Sequence, residues 1–426
     1  MERNNYLMRL LKWLYPGMKV KRWILLSAMG IILIVLGTIE GVSEVKRQTI
    51  PSVAIILVFW GIILIFSGVK KMVKSFVSIF MPGGKEKELV DLVYKKRQLS
   101  KGPKIVVIGG GTGLSVLLHG LKAYTSNLTA IVAVSDDGGS SGRLRQQFNM
   151  LPPGDIRNCL VALADAEPLM SDLFQFRFKE GTELAGHNFG NLFITVMTEL
   201  VGDFDKAIKE SSKVLAISGQ VIPSTLKGIN LMAEHADGTK TYGETRISKS
   251  TSPINRIHLL PENCLPTDDA LDAIANAEAI ILGPGSLYTS VLPNLLVKNV
   301  SEAIAASSAI KIYICNVMTQ SGETDNYSAY DHVRAIHEHA RAKIIDYCFV
   351  NTGYVPGEFL EKYKSENSVP VKPDIQKLKD AGIKVIADDV ISAHNHVRHN
   401  SEKIAENIIN LILELKEKNS VFSKGA

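Results

Sequence analysis

The densest chemistry in the chain is Asp136-Asp137-Gly138-Gly139-Ser140-Ser141-Gly142-Arg143-Leu144-Arg145. Paired carboxylates can take ribose or sugar hydroxyls or hold Mg2+, while hydroxyls and guanidinium groups suit phosphate oxygens. Acids, flexible backbone and cations together are an expensive composition for an inert loop. Upstream stands a second candidate, Gly109-Gly110-Gly111-Thr112-Gly113. Its glycines let backbone N–H groups approach a phosphate, and a helix beginning near Leu114 would point its positive end at the same spot.

Further polar groups recur at the ends of predicted elements. Leu151-Pro152-Pro153-Gly154-Asp155-Ile156-Arg157-Asn158 places Asp155, Arg157 and Asn158 at a helix start, where Asp155 either caps that helix or meets a ligand. Gly186-His187-Asn188-Phe189-Gly190-Asn191 sets a histidine and two amides ahead of a helix over 192–200. Gly283-Pro284-Gly285-Ser286-Leu287-Tyr288 is another glycine loop, with Gly283, Gly285 and Ser286 as phosphate or sugar contacts and Tyr288 facing either a base or the core. Asn316 follows a strand, Tyr363 offers an aromatic face, and Arg398 offers a guanidinium for a diphosphate or a salt bridge to Asp388 or Asp389. His394, His396 and His399 lie near Arg398 without a matching Cys or Glu pattern, which disfavours zinc.

The elements that must position these groups alternate. Apolar runs at 105–108, 128–134, 279–282, 311–315, 347–350 and 385–387 read as strands, with another at 213–217. Helical spacing appears from Leu114 to Leu121, at 268–276 and at 401–418. Residues 224–261 break the rhythm with short runs around Ala236-Asp237-Gly238-Thr239 and read as an antiparallel insertion. The fold class is therefore α/β: three layers, α/β/α, around a mainly parallel Rossmann-like sheet, with the polar loops collected at the carboxyl edge of its strands.

Two charge-free apolar segments precede this domain, Trp23 to Ile39 and Pro51 to Val69. At 1.5 Å per residue they span about 26 and about 28 Å, close to a bilayer core of about 30 Å. Basic residues cluster outside them (Arg3, Arg9, Lys12, Lys19, Lys21, Arg22; then Lys70, Lys71, Lys74), and the connecting loop is balanced. The positive-inside rule then puts both termini and the globular domain in the cytoplasm, as a multi-pass protein of the cell membrane. The organisation expected is a basic N-terminus (1–22), a transmembrane helical hairpin (23–69), an amphipathic linker (70–103), a nucleotide-binding domain (104–418) and a frayed tail (419–426). Met72, Val73, Phe76, Val77 and Phe80 form the apolar face of an interfacial linker helix that Pro82-Gly83-Gly84 stops.

Composition excludes other classes. The net charge of +5 over 426 residues comes largely from the membrane-flanking clusters, and no nucleic-acid-binding motif is present. The cysteines at 159, 264, 315 and 348 are far apart and form neither a CxxC site nor a disulfide framework.

Counting from Gly109, the sixth position of the dinucleotide fingerprint is Leu114, and Ser115 stands where a tubulin-type loop has its last glycine, so neither pattern is met. Five strings instead carry one resemblance: GGGTGLS, SDDGGSSGRLR, LPPGDIRNCLVALAD, GHNFGNLF and GPGSLYTSVLPNLL. The chain from about Lys104 to about Leu415 resembles the bacterial gluconeogenesis-factor family, within the superfamily of 2-phospho-L-lactate transferases of deazaflavin cofactor synthesis. That resemblance implies a nucleotide-diphosphate ligand of the UDP-sugar type and a regulatory role in cell-shape morphogenesis under gluconeogenic growth. On this reading Gly110, Gly111, Thr112, Gly113 and the second glycine loop hold the diphosphate. Asp136 and Asp137 contact a ribose or sugar or hold Mg2+, with Asp137 the metal ligand, and Arg398 neutralises charge. The alternative is an enzyme transferring a phospholactyl or phosphoryl group from a nucleotide diphosphate donor, with Asp136 and Asp137 catalytic. A homodimer and a protein partner are open in both readings.

Overall fold

A computed structural model of the chain describes residues 21–46, 52–80, 86–165, 168–181, 183–393 and 397–424. The basic stretch before residue 21, the Pro82-Gly83-Gly84 break, and His394 and His396 lie outside these residues. The chain divides into two compact units, 1–97 and 98–426.

The first unit holds the helices Lys21–Lys46 and Ser52–Phe80, both long and apolar enough to cross a membrane. They pack antiparallel along a seam of small residues. A Cβ on Gly61 would lie 2.7 Å from the Gly30 carbonyl oxygen, and one on Gly41 would lie 3.2 Å from the Ala54 side chain. Larger apolar side chains such as Leu25, Ile55 and Phe66 face outward. The second helix runs on without interruption to Phe80, so the interfacial linker helix expected from residue 70 is the continuation of the apolar one. Lys71 sits in that continuation with its ammonium 4.7 Å from the Trp23 ring centre. A further helix, Glu86–Leu99, leads into the second unit.

Among its described residues that unit contains twelve strands: β1 (Ile105–Gly109), β2 (Leu128–Val132), β3 (Gln220–Pro223), β4 (Asn230–His235), β5 (Lys240–Tyr242), β6 (Ile254–Leu260), β7 (Ala279–Leu282), β8 (Ile310–Ile314), β9 (Tyr347–Asn351), β10 (Lys384–Asp388), β11 (Ile391–Ala393) and β12 (Val397–His399). Seven form one parallel sheet in the order β10-β9-β8-β7-β1-β2-β3. Its central strands are apolar on both faces because helices cover both, and every residue of β1 and β7 is buried. The helix Gly111–Leu121 packs on Gly154–Leu163 and on the last helix, Ser401–Lys424. β4, β5 and β6 make the antiparallel insertion, and β11 and β12 a small separate ribbon.

One expected strand is absent: residues 213–217 are the end of the helix Phe204–Val214 and the turn after it. The Asp203 side chain caps that helix by accepting from Lys206 N at 2.8 Å. Phe204, Ala207, Ile208 and Ser211 then lie on one buried face at helical spacing, which overrides the local apolar run. The strand follows at β3.

The order of the sheet reverses between β1 and β7, opening a crevice at their carboxyl ends. Leu118, wholly buried on the helix that leaves this crevice, anchors it to the sheet. Leu118→Ala is expected to lower unfolding free energy by about 3 kcal/mol, read as a shift in the urea midpoint at unchanged slope.

Candidate functional site

The two glycine loops leave neighbouring strands and meet at the reversal point. A Cβ on Gly113 would lie 2.6 Å from the Pro284 carbonyl oxygen, and one on Gly285 would lie 3.2 Å from that of Gly110. The loops are tied together by side chains. Asn294 Nδ2 donates to Gly109 O at 3.1 Å, and Asn316 clamps the peptide of Gly285, accepting from its N–H at 3.2 Å and donating to its carbonyl at 2.9 Å. Gln320 Nε2 donates to Ser286 Oγ at 2.7 Å. Together they bound a cleft of ≈ 400 Å3. Its walls include Gly110 to Gly113, Gly285, Ser286, Asn316 and Tyr363 of the residues read from sequence, and also Ser290, Met318, Gln320 and His399.

Asp155 joins this cleft to a second polar group. It does not cap its own helix, whose N-cap is Pro153. Its carboxylate instead accepts from Gly111 N–H at the start of the neighbouring helix, and a Cβ on Gly110 would lie 2.8 Å from it. Burial pushes its pKa up to about 6, opposed by that bond and by Arg157 and reinforced by Asp136. Burial, with Arg177 nearby, lowers the Arg157 guanidinium to about 10.

Around Ser140 the remaining candidates form a closed network. Its Oγ accepts from Asn188 N at 3.3 Å and Asn191 Nδ2 at 3.2 Å, so its proton goes to His187 Nδ1, 3.2 Å away. Burial, then Arg143 and Arg177, lowers the His187 pKa, consistent with a neutral ring that accepts. Asn191 Oδ1 takes Arg157 Nη1 at 3.1 Å, and Arg157 also donates to the Asn158 side chain. Ser141 is buried against Gly154, and Arg143 donates to Ala185 O at 2.9 Å. These residues support the edge beside the cleft and do not line it.

Asp136 accepts from Gly138 N at 2.8 Å, while Asp137 Oδ1 takes both the N–H (2.9 Å) and the hydroxyl (2.6 Å) of Thr245. Asp137 thus docks the short helix Glu244–Ile247 of the insertion. That docking brings in Glu244, whose carboxyl is pushed up to about 9 by burial and then by Asp136, Asp155, Glu323 and Asp137. Glu323 is 4% exposed and accepts from Ser248 Oγ at 3.1 Å, Thr289 Oγ1 at 3.0 Å and Tyr288 N at 3.3 Å, joining the insertion to the second glycine loop. Nothing local in the sequence marks Glu244 or Glu323, which reach the site from 108 and 187 residues beyond Asp136 (244 − 136 and 323 − 136). Among the described residues, no group of three or more His, Cys, Asp or Glu side chains is arranged to hold a metal ion.

The sequence leaves two residues with alternatives. Tyr288 faces the core: it is 2% exposed, its hydroxyl bonds that of Tyr327 at 2.8 Å, and its ring meets His339 edge-on. It turns inward because the chain enters a π-helical turn, Leu287–Val291, all of it buried. Arg398 pairs through its backbone with Ser392, and its side chain lies outside the described atoms. The salt bridge considered for it at Asp388 is taken by Lys403 Nζ at 2.9 Å.

A protonated Glu244 sets a pH dependence. Its folded pKa near 9 exceeds the usual 4.5, so its contribution is full below 4.5 and lost as pH rises through 9. Wild-type melting temperature should fall between pH 7 and 9, and Glu244→Gln should remove most of that fall.

The family model described as 2-phospho-L-lactate transferase CofD matches residues 105–391. The gluconeogenesis factor of Bacillus subtilis (strain 168) is 48% identical over 317 residues, covering 74% of this chain and 100% of its own. A relative from Nostoc sp. (strain PCC 7120), also carried under the gluconeogenesis-factor name, is 46% identical and covers 93% of this chain and 91% of its own. A crystal structure of a Bacillus halodurans protein is similar at a TM-score of 0.71 and 49% identity, over 72% of this chain and 100% of that one. The chain belongs to the gluconeogenesis factor family, within the wider CofD family.

Proposed function

We propose that the cleft binds a nucleotide diphosphate of the UDP-sugar type, and that the chain is a membrane-tethered binding regulator acting on cell shape under gluconeogenic growth. The observation that carries the ligand reading is the abutment of two glycine loops at the sheet's reversal point. Thr112, Gly113 and Ser286 carry backbone N–H groups on the cleft wall, while those of Gly111 and Tyr288 are taken by Asp155 and Glu323, and such groups hold phosphate oxygens without a bulky side chain between them. Thr112, Ser286 and Ser290 add hydroxyls on the same wall. A Mg2+ ion carried by the phosphates would need only one or two protein carboxylates, a role open to Asp136 or Asp137.

Binding without turnover fits the acid group best, since Asp137 is committed to Thr245. Group transfer, the activity in the family model's name, is favoured by one observation, the carboxyl of Glu244 raised by burial and by Asp136 and Asp155 around it. Release of a nucleotide from a UDP-sugar by the purified chain, lost in Asp137→Asn, would establish that second reading.

Titration calorimetry of the detergent-solubilised chain with UDP-N-acetylglucosamine should show saturable binding. Gly113→Ala, which forces a methyl against Pro284 O, should weaken it about tenfold or more. No heat with any UDP-sugar at millimolar concentration would contradict the reading.

The membrane reading rests on the two apolar helices and the positive-inside rule. A cysteine placed at Gln48 should react with an impermeant maleimide added outside intact cells. The native cysteines, all buried, should not.

A further inference from the structure

Beyond β8 the chain runs along one wall of the cleft from Asn316 to Gln320. Met318 forms an isolated antiparallel bridge with Pro370. The bridge is closed by its neighbours, Val371 N to Val317 O at 2.9 Å and Thr319 N to Val369 O at 2.8 Å. Met318 is therefore the non-hydrogen-bonded member of the pair, and its own N–H and C=O point away from 369–371. Neither group has a partner among the described residues, although Met318 is only 8% exposed and lines the cleft. Buried peptide groups are rarely left this way without a ligand or water to meet them.

The edge is also held rigid. Met318 and Val317 pack with Val355 and Phe359 in a small apolar cluster against which Tyr363 lies. Opposite, His399 Nε2 lies 3.1 Å from Cys315 O. A carbonyl only accepts, so Nε2 carries the proton and Nδ1 is left as an acceptor. Burial lowers the pKa of this ring to about 4, so it is neutral at physiological pH.

The wall thus offers one donor, Met318 N–H, and one acceptor, Met318 C=O. We infer that this wall reads the base of the bound nucleotide, and that Met318 selects a ring N–H beside a ring carbonyl, the edge of uracil, over the edge of cytosine. In uracil, N3–H would donate to Met318 O and O4 would accept from Met318 N–H. In cytosine placed the same way, the N3 lone pair meets a carbonyl oxygen, and the 4-amino group meets an N–H. Both contacts then oppose like with like. A site built to bond an N–H rejects the analogue lacking it far more strongly than an apolar pocket rejects a change of size. Tyr363 and the cluster behind it supply the flat apolar surface a base would cover.

The inference rests on the nucleotide reading of the cleft, and one set of titrations separates the two. The detergent-solubilised chain is titrated with UDP, CDP, N3-methyl-UDP and pyrophosphate. UDP should bind tighter than CDP and N3-methyl-UDP by about tenfold or more. Met318→Pro removes one N–H and leaves both bridge bonds of its neighbours in place, so it should bring UDP close to CDP while pyrophosphate binding is unchanged. If CDP and N3-methyl-UDP match UDP in the wild type, the base-reading role is wrong while the nucleotide reading stands. If nothing binds, pyrophosphate included, both fall. Should Met318→Pro fail to fold, the N3-methyl comparison decides on the wild-type chain alone.

Discussion

Everything at the site depends on how closely two backbones approach each other. The loops after β1 and β7 come together where the strand order reverses, and Gly113 and Gly285 have no room for a side chain against the facing carbonyls. Two consequences follow from that single contact. Residues of both loops line one cleft with no lysine or arginine on its wall, and the helix Gly111–Leu121 turns its positive end there, with the N–H groups of Gly111, Gly285 and Tyr288 already bonded to Asp155, Asn316 and Glu323. The loops are also fixed before a ligand arrives, because Asn294 bonds the backbone of the first loop from beyond the second, and Asn316 at the end of β8 holds the second. Preorganised donors of this kind hold a phosphate at little further entropic cost.

The acidic side of the site is held on different terms. Asp155, Glu244 and Glu323 converge with Asp136 and Asp137, and burial pushes the carboxyls of Asp155, Glu244 and Glu323 up. The strain is relieved by protonating Glu244 and by hydrogen bonds: Asp137 to Thr245, Asp155 to Gly111, Glu323 to Tyr288 and Thr289. Asp137 ties the antiparallel insertion to the acidic loop, and Glu323, which also accepts from Ser248, ties it to the second glycine loop. Asp137, read from sequence as a ligand contact, therefore holds the insertion in place.

Much of this was legible because it is local. A glycine turn between an apolar run and a helical one defines each loop within a few residues, and the alternation of strands and helices dictates that their ends share one edge. The cleft therefore collects Gly111, Gly285, Asn316 and Tyr363 as expected. What was not legible depends on contacts across long separations. Tyr288 follows a polar loop, yet a π-helical turn rotates it onto Tyr327. Asp155 looks like the cap of its own helix and caps another. Residues 213–217 have strand composition, but Asp203 starts a helix whose buried face runs through them. The unpaired peptide of Met318 is a property of pairing with Pro370, and no residue type announces it.

The central claim is that both glycine loops hold one diphosphate. Amide hydrogen exchange of the full chain, with and without a saturating UDP-sugar, tests it most directly. The account predicts slowed exchange in 110–113 and in 285–290 together. Protection confined to one loop, or falling on neither while the ligand is bound, would contradict it.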